Sequence, residues 1–288
     1  MIGFWSTVLD AFLDALLDTL KTAPFLFLIF LLMEFIEHRA KDKTNDIITR
    51  SGRVGPAVGG LLGAVPQCGF SAACSGLYSG GVITLGTLFA VFLSTSDEML
   101  PILIAGKVPA LTILKIVGSK AAIGVVVGFI VDLLIKPKKE SEHHIHEMCE
   151  HDHCDCEKGI FRSALHHFLK IILYLFAFSL VIDLIVGFVG EDAIASVFVG
   201  VPVVGSLISA LVGLVPNCAA SVVITDLYVK GVISTGVMMS GLLVGAGVGL
   251  AVLYRANRNV RQNVMITGAL YAVGVLFGVA IDLLNITF

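Results

Sequence analysis

Long apolar runs follow one another along this chain, and water cannot accommodate that many of them in one small protein. The clearest lie at 22–36, 53–79, 81–106, 109–135, 163–189, 202–229, 231–254 and 262–284. Several reach the ~20 residues that a helix needs to cross the hydrocarbon layer of a bilayer. With 57% hydrophobic and 14% charged residues over 288 positions, the chain holds more apolar surface than a soluble core of this size would use. Only segments that satisfy their own backbone polar groups can cross lipid, so the runs are expected to be helices. The fold class is therefore an all-α polytopic membrane protein. The opening "MIGFWSTVLDAFLDALLDTL" lacks a basic start and a small-residue cleavage site, so it does not read as a signal peptide.

A second constraint is internal duplication. The stretch "AVPQCGFSAACSGLYSGGVITLG" at 64–86 returns as "LVPNCAASVVITDLYVKGVISTG" at 214–236. Without a gap, 13 of the 32 residues from 55 to 86 are identical to those from 205 to 236. The same offset pairs Gly128 with Gly278 and Asp132 with Asp282. Nearer the start of each half the offset drops by one, pairing Ala15 with Ala164, Lys21 with Lys170 and Glu34 with Asp183. The chain thus divides into a first transmembrane repeat at 1–137, a polar linker at 138–159 and a second repeat at 160–288.

Basic residues orient the halves. They gather in the loop 38–53 (Arg39, Lys41, Lys43, Arg50, Arg53), around the linker (Lys136, Lys138, Lys139, Lys158, Arg162) and at Arg255, Arg258 and Arg261, whereas the loop at Glu191 and Asp192 has none. The excess of Lys and Arg in cytoplasmic loops then puts the linker in the cytoplasm and both termini outside. Equivalent helices run in opposite directions, which predicts two inverted-topology repeats of about five helical segments each. That architecture belongs mainly to secondary transporters and related channels.

Inversion requires an odd number of crossings per half, yet each half has four apolar segments, so one must enter and return on the same side. Proline removes a backbone donor and breaks a helix. This favours 53–79 and 203–229 as hairpins, tipped at Pro66-Gln67-Cys68 and Pro216-Asn217-Cys218. The competing choice makes 81–106 the hairpin, tipped at Ser94 to Glu98, with Val244 to Gly247 as its counterpart. Lys230, in the turn after the second Cys segment, favours that competitor. Both versions put broken backbone from both halves near the membrane centre.

The tips carry candidate ligands. A lone membrane cysteine such as Cys74 is usually a small packing residue. Cys68 and Cys218 differ, since each stands beside a proline and an amide at the same repeat position. Pro66, Gln67, Cys68, Ser71 and Pro216, Asn217, Cys218, Ser221 form the candidate substrate site, against the blander reading of a purely structural break. Asp97 and Glu98 are candidate ion-coupling groups. A carboxylate centred in an apolar span costs about 2.5–3.5 kcal/mol on insertion scales, so it is expected to face a cavity or, alternatively, to be a polar hinge. Asp226 is placed near the hairpin mouth. Glu34, Asp183, Asp132 and Asp282 lie toward helix ends, where solvation at the membrane surface is the expected explanation.

The linker has its own chemistry. In "ESEHHIHEMCEHDHCDCEKG", His143, His144, His146, Cys149, His151, His153, Cys154 and Cys156 alternate with carboxylates. Imidazole, thiolate and carboxylate bind borderline and soft divalent metals. The density points to metal, whereas the irregular spacing specifies no geometry and matches no paired C-x-x-C finger. A solvated linker without metal is the plain alternative.

Taken with "GLLGAVPQCGFSAACSGLYSGGVITLGTLFAVFLSTSDEMLPIL" and its second copy, this linker gives the chain a family likeness. It resembles the ten-helix heavy-metal exporters, called arsenic efflux proteins or manganese transporters and distantly similar to organoarsenical permeases. Six spans and two two-armed hairpins equal that family's ten helices. The resemblance implies export of a metal or metalloid. No G-x-x-x-x-G-K-[ST] phosphate loop occurs, since "IAGKV" at 104–108 lacks the first glycine. An ion-gradient-driven secondary transporter is therefore expected, not an enzyme, with no tightly bound cofactor and a transition-metal ion as substrate and linker ligand. Thiolates suit Zn²⁺, Cd²⁺ or trivalent arsenic, and oxygens suit Mn²⁺. Alternatives are a transporter of a small organic anion, a membrane-anchored metal sensor, and a membrane enzyme using Cys68 or Cys218 as nucleophile. The lipid bilayer is the expected partner and nucleic acid is not. The small-residue face "GLLVGAGVG" (241–249) is compatible with a homodimer and equally with packing inside one chain.

Overall fold

The computed structural model describes residues 44–65, 68–96, 99–135 and 202–288, together with separate helical positions between 8 and 31 and between 165 and 184. The first half contains α1 (Thr44–Gly63), α2 (Cys68–Ser79), α3 (Leu85–Ser94), α4 (Met99–Ala105) and α5 (Ala110–Leu134). The second repeats the pattern with α6 (Pro202–Gly213), α7 (Cys218–Val229), α8 (Thr235–Val244), α9 (Val248–Ala256) and α10 (Val260–Leu283). No strand occurs among the described residues. Among the described residues, four stretches are long and apolar enough to cross a membrane: 85–105, 110–134, 235–256 and 260–283. The first and third are interrupted, after α3 and after α8.

Glycine contacts settle which segment turns back. Beside α3, Gly55 of α1 meets Thr87, Gly59 meets Thr87 and Val91, and Gly63 meets Val91 and Ser94, so α1 and α3 run parallel. Between them α2 must therefore return, and α1–α2 is a hairpin broken near Pro66. Along α5 the numbers fall instead: Gly128 meets Gly86 and Ala90, and Gly124 meets Ala90 and Ser94. With α5 antiparallel to α3 and starting well beyond its end, α3 and α4 form one through-going, broken helix. The second half repeats this, with Gly213 against Gly241, Gly236 against Gly278, and Gly274 against Ser240 and Val244. The hairpins are thus 53–79 and 203–229, not 81–106. Lys230, the residue that favoured the competitor, forms an ion pair with Asp226 one helical turn earlier, which balances its charge locally.

The halves exchange partners. Helix α2 packs on α9 and α7 packs on α4, while α3 touches α8. Ser75 of α2 donates its hydroxyl to Gly249 O of α9 (2.7 Å), and Gln262 at the start of α10 donates to the Tyr78 hydroxyl (2.6 Å). Ser75 thus meets the start of α9, and Tyr78 meets the start of α10 just past the end of α9, so α2 runs alongside α9 in the same direction. Between the N-terminal segment and the segment after the linker, Phe12 meets Phe176 edge-on at 5.6 Å and Phe27 meets Phe168 at 5.4 Å. The broken helices form the core, with Leu88, Phe92, Leu93, Met238, Met239 and Leu243 fully buried or nearly so. Helices α5 and α10 present Leu114, Leu133, Val264 and Leu276 outward. In water that surface would cost ~25 cal/mol per Å² of apolar area, and lipid removes the cost.

Both returns use the same local chemistry. Gly81 and Gly231 take positive φ (71° and 72°), and Val82 N and Val232 N reach back to Leu77 O and Leu227 O. This is a Schellman-type stop, which only glycine fits without strain. Thr84 and Ser234 then cap α3 and α8 through Thr87 N and Val237 N. Asp132 and Asp282 complete the caps from neighbouring helices. Asp132 accepts from Gly86 N (2.8 Å) and the Thr84 hydroxyl (2.7 Å), and Asp282 accepts from Gly236 N (2.8 Å) and the Ser234 hydroxyl (2.7 Å). Solvation at the membrane surface is therefore not what these two aspartates are for. They are tertiary helix caps, placed where the positive end of a helix attracts a carboxylate.

Removing them should destabilise the fold. Asp132→Ala leaves a backbone donor without its charged acceptor and is expected to cost about 1–3 kcal/mol, with Asp282→Ala at the lower end because its hydroxyl contact is exposed. Thermal unfolding in detergent should show both shifts, and unchanged midpoints in both variants would contradict the capping role.

Candidate functional site

Four interruptions of helix meet at one place. The first hairpin tip closes with Ala64 N to Gly60 O and Val65 N to Leu62 O, and Cys68 opens α2. The second closes with Leu214 N to Ala210 O, Val215 N to Val212 O and Asn217 N to Val215 O (2.8 Å), and Cys218 opens α7. Pro216 is half-buried in this turn and Asn217 is buried. Proline fits here because the residues entering a helix have no intrahelical acceptor for their N–H.

The other two interruptions follow α3 and α8. At the first, the Ser94 hydroxyl donates to Ala90 O and the Thr95 hydroxyl to Val91 O, so side chains satisfy carbonyls that the ended helix leaves open. Ser96 donates to Ala64 O (2.8 Å), tying this break to the first hairpin tip. The second is glycine-built, with Gly245 N to Gly241 O and Gly247 at φ 51°. Ser71, one turn beyond Cys68, packs on Gly249, so the first tip also lies beside the second break. A Cβ on Gly249 would stand 2.8 Å from the Ser71 Cβ and 3.0 Å from the Phe92 ring. Glycine is what lets α2 and α9 come this close.

One cation is built into the meeting point. Lys120, in the middle of α5, is 1% exposed. Its Nζ donates to Thr95 O (2.5 Å) and to Leu242 O (2.6 Å), one carbonyl from each half. Both acceptors belong to helix carboxyl ends, where the backbone dipole favours a cation. Bonds of this kind offset the several kcal/mol that burying an ammonium would otherwise cost.

The sequence candidates are placed as follows. Ser71 and Asn217 are buried at the convergence, and Ser221 lies in the first turn of α7, its carbonyl accepting from the Thr225 hydroxyl (2.7 Å). Cys68 and Cys218 begin the helices that rise from the two tips. Pro66, Gln67, Asp97, Glu98 and the linker ligands from His143 to Cys156 lie outside the described residues. No cluster of metal-ligating side chains occurs among the described residues. Cys74 is half-buried against the core, the packing role expected of it. Sequence reasoning missed Lys120. The signal was present, because an ionisable residue inside a 25-residue apolar helix marks a functional position by default, and its partner at the repeat offset is Leu270.

The close contact supplies a test. Gly249→Val should push α2 off α9 and cost about 1–3 kcal/mol by overpacking. The measurable outcome is a lower unfolding midpoint. A variant as stable as the parent would mean that α2 and α9 do not pack this tightly.

Residues 5–204 match the model of a family described as "Putative, 10TM heavy-metal exporter". The match covers the first half, the linker and the start of the second half. No curated protein and no solved structure matches the chain significantly. A multi-pass helical chain with broken helices and a match over most of its length belongs to this ten-helix heavy-metal exporter family.

Proposed function

We propose that the chain is a secondary transporter that exports a divalent heavy metal or a metalloid from the cytoplasm, driven by protons or another ion. The observation that carries this is the convergence of helix breaks from both halves, with Cys68 and Cys218 opening the helices that start there. Broken backbone is tolerated inside a membrane only where protein or a water-filled cavity satisfies it. Breaks gathered from two repeats are how transporters of this general design build a site. A helix amino end favours an anionic ligand such as a thiolate, and thiolates are the natural ligands of Zn²⁺, Cd²⁺ and trivalent arsenic. Gln67, Asn217, Ser71 and Ser221 would add oxygens, Pro66 and Pro216 would hold the tips open, and Asp97 and Glu98 would be the coupling carboxylates.

The halves are read as inverted repeats. Supporting this, α3 is antiparallel to α2, α2 is parallel to α9, and α9 continues α8. Helix α8 then runs against its counterpart α3. With the basic loops inside, the linker is cytoplasmic and both termini are outside. The linker would collect metal for the pathway without being the pathway, because it has no apolar stretch to enter the membrane.

Purified protein in proteoliposomes, offered Mn²⁺, Zn²⁺, Cd²⁺, Co²⁺ and arsenite, tests the reading. Flux of at least one is expected, and Cys68→Ser or Cys218→Ser should slow a thiophilic substrate by about tenfold or more while affecting Mn²⁺ less. The positive ends of α2 and α7 also suit a small organic anion, and flux of such an anion with none of the metals would replace the reading. Deleting 141–157 should lower apparent metal affinity and leave transport measurable. Complete loss of transport in a well-folded deletion would make the linker part of the pathway.

A further inference from the structure

Lys120 stands outside every role assigned so far, and it occupies the point where the halves cross. Its ammonium sits between Thr95 O and Leu242 O, the carboxyl ends of α3 and α8. Two carbonyl oxygens from different halves aimed at one buried position are the makings of a cation site, and here the chain fills that site with a cation of its own. The repeat is not symmetric at this point. Leu270 takes the equivalent place in α10 and is fully buried, so the second half builds the same helix without a lysine there. A ligand set can be doubled by duplication, whereas a charge-exchanging group need exist only once.

Among the described residues, charged neighbours from the packed elements are few. Helices α3, α4, α8 and α9 carry no Asp, Glu, Lys or His, and Arg255 of α9 lies at the far end of that helix. On α1 the charged positions Asp46, Arg50 and Arg53 precede Gly60, which meets Ala121 and Val125, by about two turns or more. On α10, Arg261 lies near one end and Asp282 caps α8 near the other. Lys115 is five residues before Lys120 on α5 and exposed. Asp97 and Glu98 follow Thr95 by two and three positions in the sequence.

We propose that Lys120 carries the exchanged proton of the transport cycle, its ammonium and the transported cation excluding one another at the crossing of the two broken helices. Two cations a few Å apart in a poorly screened interior repel strongly. When the substrate cation arrives, an N–H bond of Nζ breaks, the proton passes to water, and the electron pair stays on nitrogen. Reprotonation from the opposite side, once the cation has left, restores the bonds to Thr95 O and Leu242 O. This rests on the transporter reading and gives the exchanged proton to Lys120 in place of Asp97 and Glu98.

The test uses the full chain in proteoliposomes, with a one-unit pH gradient, zero membrane potential and whichever metal of the panel the parent moves. Exchange of one proton per cation should sustain about a tenfold concentration ratio in the parent. Lys120→Met should abolish that accumulation while retaining metal-for-metal exchange, which needs no proton. Lys120→Arg keeps the charge but does not give up its proton, so it should also fail to accumulate metal. If Lys120 is only a strut, the Arg variant will restore accumulation, and that result overturns the proposal. Accumulation by the Met variant overturns it too. Should the Met protein fail to fold, Lys120→Gln and the Arg variant still decide the matter. If the parent moves none of the metals, the transporter reading itself fails, and the proposal falls with it.

Discussion

A bilayer offers no hydrogen bonds to an interrupted helix, and this one constraint shapes the molecule. Each half ends two helices inside its apolar stretch, and each end leaves carbonyls or N–H groups without intrahelical partners. The chain meets the demand with its own groups. Ser94, Thr95 and Ser96 donate to carbonyls around the first break, Asn217 N closes the second hairpin tip, and Lys120 bridges the ends of α3 and α8. Because these partners come from different helices and from both halves, the breaks must gather at one place. Gathering them requires close backbone approach, which explains glycine at Gly63, Gly124, Gly213, Gly241 and Gly249.

Much of this was legible in the sequence because duplication makes geometry visible twice. Pro66 and Pro216 marked the hairpin tips, and the helices α2 and α7 that follow end in the same stops at Gly81 and Gly231. The choice of hairpin was not decided by one lysine, and Lys230 proves to be paired with Asp226. What could not be read was which helix each element packs on. The pairing of α2 with α9 joins residues more than a hundred positions apart, and nothing in local periodicity encodes it. The same blindness hid the caps. Asp132 and Asp282 looked like residues at a membrane surface because their partners, Thr84 and Ser234, are remote in sequence. Lys120 was passed over among apolar neighbours, although its mismatch with Leu270 is plain once the halves are aligned.

The proposed site would combine two symmetries of different kinds. Cys68 with Cys218, and Gln67 with Asn217, are pairs that a two-fold arrangement would present equally to a substrate crossing from either side. Lys120, Asp97 and Glu98 have no ionisable counterparts: the positions 150 residues on are Leu270, Gly247 and Val248. A substrate site benefits from being the same when approached from both faces. A group that exchanges charge need exist only once. In the proposed transporter, ligands duplicated in both halves and charges present in only one would divide binding from coupling.

All of this depends on the two halves facing opposite ways across the membrane, and the turns at 80–84 and 230–234 report it. Val82→Cys and Val232→Cys, each placed in a chain whose native cysteines are replaced, can be labelled in sealed vesicles of known sidedness with a membrane-impermeant maleimide. The expected result is labelling of position 82 only from the cytoplasmic face and of position 232 only from the outer face. Labelling of both positions from the same face would contradict the inverted arrangement, and with it the meeting of the breaks as a site reachable in turn from the two sides.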